Sequence, residues 1–168
     1  DAVAILASHV DGKSALGIDK EWPARFLLPL MERNPDSRYI VASDCVDHAR
    51  ACKDEAEREL MRAASRINDT VMERAAAFLQ EGITEREVAD YIISQYAAEG
   101  CDAVAFQPIV SFGAHAADPH HEADQTRLKA GDCIVIDMGC RKDRYCSDMT
   151  RTVAVGQPTQ EMEQVYQT

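Results

Sequence analysis

The sequence predicts an α+β protein built in two parts. Three observations predict it: amphipathic helical patterns over residues 56–78 and 88–96, an antiparallel hairpin over residues 131–156, and a shorter strand and helix alternation in residues 1–52. The chain has 168 residues, 46% of them hydrophobic and 28% charged, which suffices for a substantial buried core. A formal charge of −11 argues against a nucleic-acid surface and against binding to acidic membranes. No apolar run approaches the ~18 residues that a membrane helix needs.

Residues 1–52 read as the closing portion of a small α/β domain. The apolar runs at 2–7 and 15–18 have the length of strands. Trp22-Pro23 opens a helix whose Phe26, Leu27, Leu30 and Met31 recur at helical spacing, and Asn34-Pro35-Asp36 ends it as a turn. Residues 39–42 make one more short strand. His9 and His48 lack partners at ligand spacing and read as surface or structural residues.

The second part, residues 53–168, opens with a long helix. Ala56, Leu60, Ala64, Ile67, Val71, Ala75 and Phe78 form its apolar stripe, and Gly82 stops it. Thr84-Glu85-Arg86-Glu87 is a capping box for a second helix that carries Val88, Ala89, Ile92, Ile93 and Tyr96 and ends at Gly100. Residues 103–112 read as a strand, with Pro108 marking an edge or a bulge. Residues 113–126 form a polar loop with three histidines: His115, read as solvent-exposed, and His120 and His121 behind Pro119. Proline restrains the approach of His120, which makes it the candidate catalytic histidine; His121 reads as its neighbour.

The hairpin places Asp137 and Asp148 in runs that otherwise read as buried strand. Directly opposed, two such carboxylates lie ~5 Å apart and repel by roughly 3 kcal/mol at an effective dielectric near 20. A proton or a bridging cation resolves that repulsion, and hard carboxylate oxygens suit divalent metals. The bland alternative has Asp137 capping the turn and Asp148 bonding backbone or Arg151. The six cysteines are scattered and contain no Cys-x-x-Cys pair, so reduced thiols in the cytoplasm are expected, with a Cys140–Cys146 bridge as the lesser reading. Thr159 can cap a final helical pattern that runs to Thr168, so a longer chain is expected.

Pro119-His120-His121, with the segments 128–132, 134–139 and 145–155, resembles the first half of the catalytic domain of the proline-specific metallopeptidases, Xaa-Pro dipeptidase (prolidase) and aminopeptidase P. These share the pita-bread fold with methionine aminopeptidase. The resemblance extends upstream through 109–113 and both helices, and residues 1–52 are similar to the end of that family's N-terminal domain. It implies that Asp137 chelates one metal, that Asp148 bridges two, and that His120 contacts substrate or the reacting centre. The implied cofactors are two divalent ions, manganese first and cobalt or zinc as alternatives, holding a bridging water or hydroxide that attacks the bond before proline. The implied partner is a proline-containing peptide, with a homodimer expected of the full-length form. The family's remaining ligands, one histidine and two glutamates, come from a later half, so this segment alone is not expected to complete the site. Arg144 stands where relatives often have glycine, which predicts a different turn type, and His115 stands where they often have asparagine. Two other readings stay open: a binding module on the same fold without catalysis, and a creatinase-like hydrolase that works without metal.

Overall fold

The computed structural model describes residues 1–167, in two compact units, Asp1–Lys53 and Asp54–Thr168. In the first unit, α1 (Ala2–Ser8), β1 (Ala15–Ile18), α2 (Ala24–Arg33), β2 (Arg38–Val41) and α3 (Ser43–Ala51) follow in order. β1 and β2 pair in parallel, from Ala15 with Arg38 to Ile18 with Val41. The strand expected at residues 2–7 is a helix. A short apolar run carries no period of its own, and the Asp1 carboxylate decides the matter by accepting the Val3 N–H at 3.0 Å, as an N-cap does. The helix α3 lacks an apolar stripe and had no signal in the sequence. Its first residue, Ser43, is buried and ties it to the β1 side of the unit by donating to Asp19 Oδ2 at 3.0 Å and accepting from Lys20 N–H.

The second unit is organised by α4 (Glu55–Phe78) and α5 (Glu85–Ala98). Both start in complete capping boxes, Asp54 with Glu57 and Thr84 with Glu87, each cap being worth about 1 kcal/mol. The first helix ends at Phe78, short of Gly82, whose φ of +86° forms the turn into α5. Against these helices lies an antiparallel sheet of β4 (Ile109–Phe112), β5 (Cys133–Met138) and β8 (Met149–Ala154), in that spatial order. Strand β5 alternates strictly: Ile134, Ile136 and Met138 are buried with Val71, Val88 and Ile92, while Cys133, Val135 and Asp137 face the other way. A smaller sheet contains β3 (Ala103–Val104), β6 (Cys140–Lys142) and β7 (Tyr145–Cys146).

The single strand expected over residues 103–112 is therefore two strands in two sheets. Pro108, which has no N–H for a ladder, stands just before the edge strand β4. The hairpin turn also differs from expectation. Asp143 and Arg144 both take positive φ, 50° and 72°, the signature of a two-residue type I′ turn despite the arginine. The Arg144 N–H donates to Asp102 Oδ2 at 3.1 Å and the Lys142 ammonium to the Gly100 carbonyl at 2.8 Å, bonds that hold the turn against the start of β3. All six cysteines are free; Cys140 is buried and Cys146 exposed, because Cys146 pairs with Arg141 and shares its face, opposite to that of Cys140. Among the described residues no helix is long and apolar enough to cross a membrane.

Candidate functional site

The two aspartates project from one face of the hairpin, on a diagonal. Asp137 pairs with Thr150 and Met138 with Met149, which puts Gly139 opposite Asp148; the same register resumes at Arg141 with Cys146. Asp137 and Asp148 are thus two residues out of register, diagonal neighbours about 7–8 Å apart rather than directly opposed. At that spacing the same dielectric leaves roughly 2 kcal/mol of repulsion. Gly139 is what allows the strands to close there. A Cβ at this position would lie 2.2 Å from the Ser147 carbonyl oxygen and 3.0 Å from the Phe106 ring.

Asp148 is exposed, whereas Asp137 is half-buried, and its Oδ1 is fully buried without a hydrogen-bond partner. Leaving a buried acceptor unpaired costs about 1–3 kcal/mol, more for a charged group. A divalent cation fits this donor set: an orphaned carboxylate oxygen with a second carboxylate on the same face. The floor beneath is fixed by a buried polar chain. Tyr96 donates to Asn68 Oδ1 at 2.5 Å, and Asn68 Nδ2 donates to the Met138 carbonyl at 3.3 Å. Burial first, then the neighbouring Cys140, Cys101, Asp137 and Asp148, pushes the Tyr96 phenol well above its usual range, so it stays a donor.

The histidine loop starts from a short 3-10 turn, Gly113–Ala117, directly after β4. His120 is exposed; its backbone N–H donates to Asp118 Oδ1 at 2.9 Å, and its ring makes no hydrogen bond among the described residues. The other two histidines are not as expected. His115 Nδ1 lies 3.0 Å from Glu85 Oε1 and His121 Nε2 lies 2.7 Å from Glu85 Oε2, with the two rings 4.1 Å apart. Glu85 is completely buried, and with Asp124 these residues present four potential ligand atoms within 4.8 Å of one another. Glu85 escaped the sequence reading as one member of a capping box. Its signal was its position: 85, 88, 89, 92 and 96 form one stripe, so a carboxylate sits on the buried face of α5.

Residues 59–168 match the metallopeptidase family M24. An uncharacterized peptidase of Staphylococcus aureus strain MSSA476 is 36% identical over 121 residues, 72% of this chain and 34% of the relative. Among solved structures, the prolidase from Pyrococcus horikoshii superposes with a TM-score of 0.92 at 30% identity, over 97% of this chain and 47% of its own. Dipeptidase PepE from Mycobacterium ulcerans gives 0.88 at 35% identity, over 99% and 45%. The Xaa-Pro dipeptidase from Bacillus anthracis gives 0.91 at 28% identity, over 98% and 47%. The chain spans about a third of the length of the curated relatives it matches and about half of the solved ones. With its helix pair, antiparallel sheet and hairpin in the pita-bread arrangement, the chain belongs to metallopeptidase family M24.

Proposed function

We propose that the complete protein is a metal-dependent exopeptidase that hydrolyses the Xaa-Pro bond of short peptides. Asp137 and Asp148 hold a dinuclear centre, with manganese as the first candidate metal, and His120 contacts the substrate. The observation that carries this reading is the buried, unpartnered Asp137 Oδ1 on the face it shares with Asp148. Divalent ions bound there would supply Lewis acidity toward the peptide carbonyl. This chain's own residues do the rest that can be assigned: Asn68 and Tyr96 fix the backbone beside Asp137, and the exposed His120 ring is free to bond an incoming peptide. Xaa-Pro specificity is supported by relatives described as prolidase, Xaa-Pro dipeptidase and X-Pro aminopeptidase. The remaining ligands come from outside residues 1–168, and the Asp1–Lys53 unit is the end of an N-terminal domain. Six free cysteines accord with a cytoplasmic setting.

The test is Asp137→Asn and Asp148→Asn in the full-length protein. Bound manganese and Xaa-Pro hydrolysis should both fall to background. Retained hydrolysis with unchanged metal content would sink the assignment. A metal-free parent that turns over creatine would favour the creatinase-like alternative, and a metal-free parent without hydrolytic activity the binding module.

A further inference from the structure

We infer that Glu85 and His121 are positioning residues for His120, an assignment that rests on the role just proposed for His120. Glu85 opens α5 from the buried side and its carboxylate is inaccessible to water. A buried carboxylate is stable only when donors surround it, and this one accepts four. Oε1 receives the Phe112 N–H at 2.8 Å and His115 Nδ1–H at 3.0 Å; Oε2 receives His121 Nε2–H at 2.7 Å and the Asp124 N–H at 3.1 Å. The helix N-terminus adds its own favourable field. These donors come from the end of β4, the 3-10 turn and the far side of the loop. One carboxylate therefore pins the chain on both sides of Pro119-His120.

The neighbour relation gives the pin its consequence. His121 turns inward, its side chain only 13% exposed, while His120 beside it is exposed. Fixing the His121 ring to Glu85 fixes the rotation of the backbone from which His120 projects, and the Asp118 carboxylate holds the His120 N–H from the other side. Donation to Glu85 also sets both tautomers, with hydrogen on His115 Nδ1 and on His121 Nε2.

The same four residues resemble a metal site in composition, but the distances speak for hydrogen bonds. A tetrahedral ion with bonds of about 2.0–2.2 Å separates its ligand atoms by roughly 3.3–3.6 Å. Here the imidazole nitrogens approach Glu85 to 3.0 and 2.7 Å, and each carboxylate oxygen already accepts a backbone N–H. The cluster is closed by protons.

The experiment uses the full-length protein and an Xaa-Pro dipeptide, measuring kcat, KM and bound metal for His120→Ala, Glu85→Gln, His121→Gln and the double variants with His120→Ala. Glu85→Gln, which turns an amide donor toward existing donors, should lower kcat about a hundredfold, and His121→Gln about tenfold, with KM within about threefold and metal content unchanged. In the His120→Ala background neither change should lower kcat further, since both act through the missing ring. Should Glu85→Gln fail to fold, His121→Gln carries the same cycle. Multiplicative losses in the double variants, unchanged kcat in the single ones, or loss of bound metal on changing Glu85 would each overturn the inference. Unchanged kcat in His120→Ala would overturn the His120 role itself, and the inference with it.

Discussion

Tyr96 donates its phenolic hydrogen to Asn68, a buried bond that joins the two long helices of the larger unit beneath the hairpin. Both residues are fully buried, and Asn68 gives its own donor to the carbonyl next to Asp137. Tyr96→Phe removes this hydroxyl and leaves Asn68 Oδ1 without that donor. A loss of about 1–3 kcal/mol is expected, read as a lower urea midpoint in the full-length protein with an unchanged slope. Asn68→Leu should cost at least as much, because it leaves the buried phenol without its acceptor and removes the bond to the Met138 carbonyl. Equal midpoints for parent and Tyr96→Phe would show that the bond carries no stability.

Gly139→Ala should be among the more damaging single-methyl changes in the chain. The obstacle at 2.2 Å is the Ser147 backbone, which belongs to the same hairpin and has no free rotamer. Accommodation must shift one strand past the other, at a cost of about 1–3 kcal/mol. Since Asp137 and Asp148 flank this point on the two strands, metal affinity should fall together with the thermal midpoint. A variant with normal midpoint and normal metal content would mean that the strands yield more easily than the geometry implies.

The parts that the sequence made legible are those whose signal is local. The stripes of α4 and α5 and their capping boxes stand in plain view, since period and cap are properties of neighbouring residues. The face shared by Asp137 and Asp148 followed from strand parity. Their diagonal offset did not, because register depends on where the turn falls, and a type I′ turn on Asp143-Arg144 sets it. Helix α1 was hidden by a run with no period, and α3 by the lack of any apolar stripe. The Glu85 clasp was out of reach for another reason: its donors lie 27 to 39 residues further along the chain.

Glu87 makes the α5 cap pH-dependent. The Thr84 backbone N–H, then its hydroxyl, holds the Glu87 carboxyl below its ordinary value of 4.5, because both donate to the charged form. A depressed folded value means that this stabilisation is complete above pH 4.5 and drains away as pH falls through the folded value. Glu87→Gln, which cannot titrate, should be less stable than the parent at pH 7 and approach it in acid. Thermal midpoints of the full-length pair at pH 7 and near pH 4 check this; a difference that stays constant would assign the cap bond no charge component.

Asp137→Asn should change stability in opposite directions with and without metal. In the metal-free protein the orphaned Oδ1 belongs to a group that pays for burial of charge, and the amide removes that charge. The variant should therefore melt at or above the parent after chelation. With manganese at about 100 times its dissociation constant, the parent gains about 2.7 kcal/mol by linkage. The variant, lacking a ligand, should gain little, so the order of the two midpoints reverses. Melting curves of the full-length parent and variant, each with chelator and with manganese, decide it. A variant that is less stable in chelator would show that Asp137 stabilises the fold by contacts of its own, and an equal manganese shift in both would remove it from the metal centre.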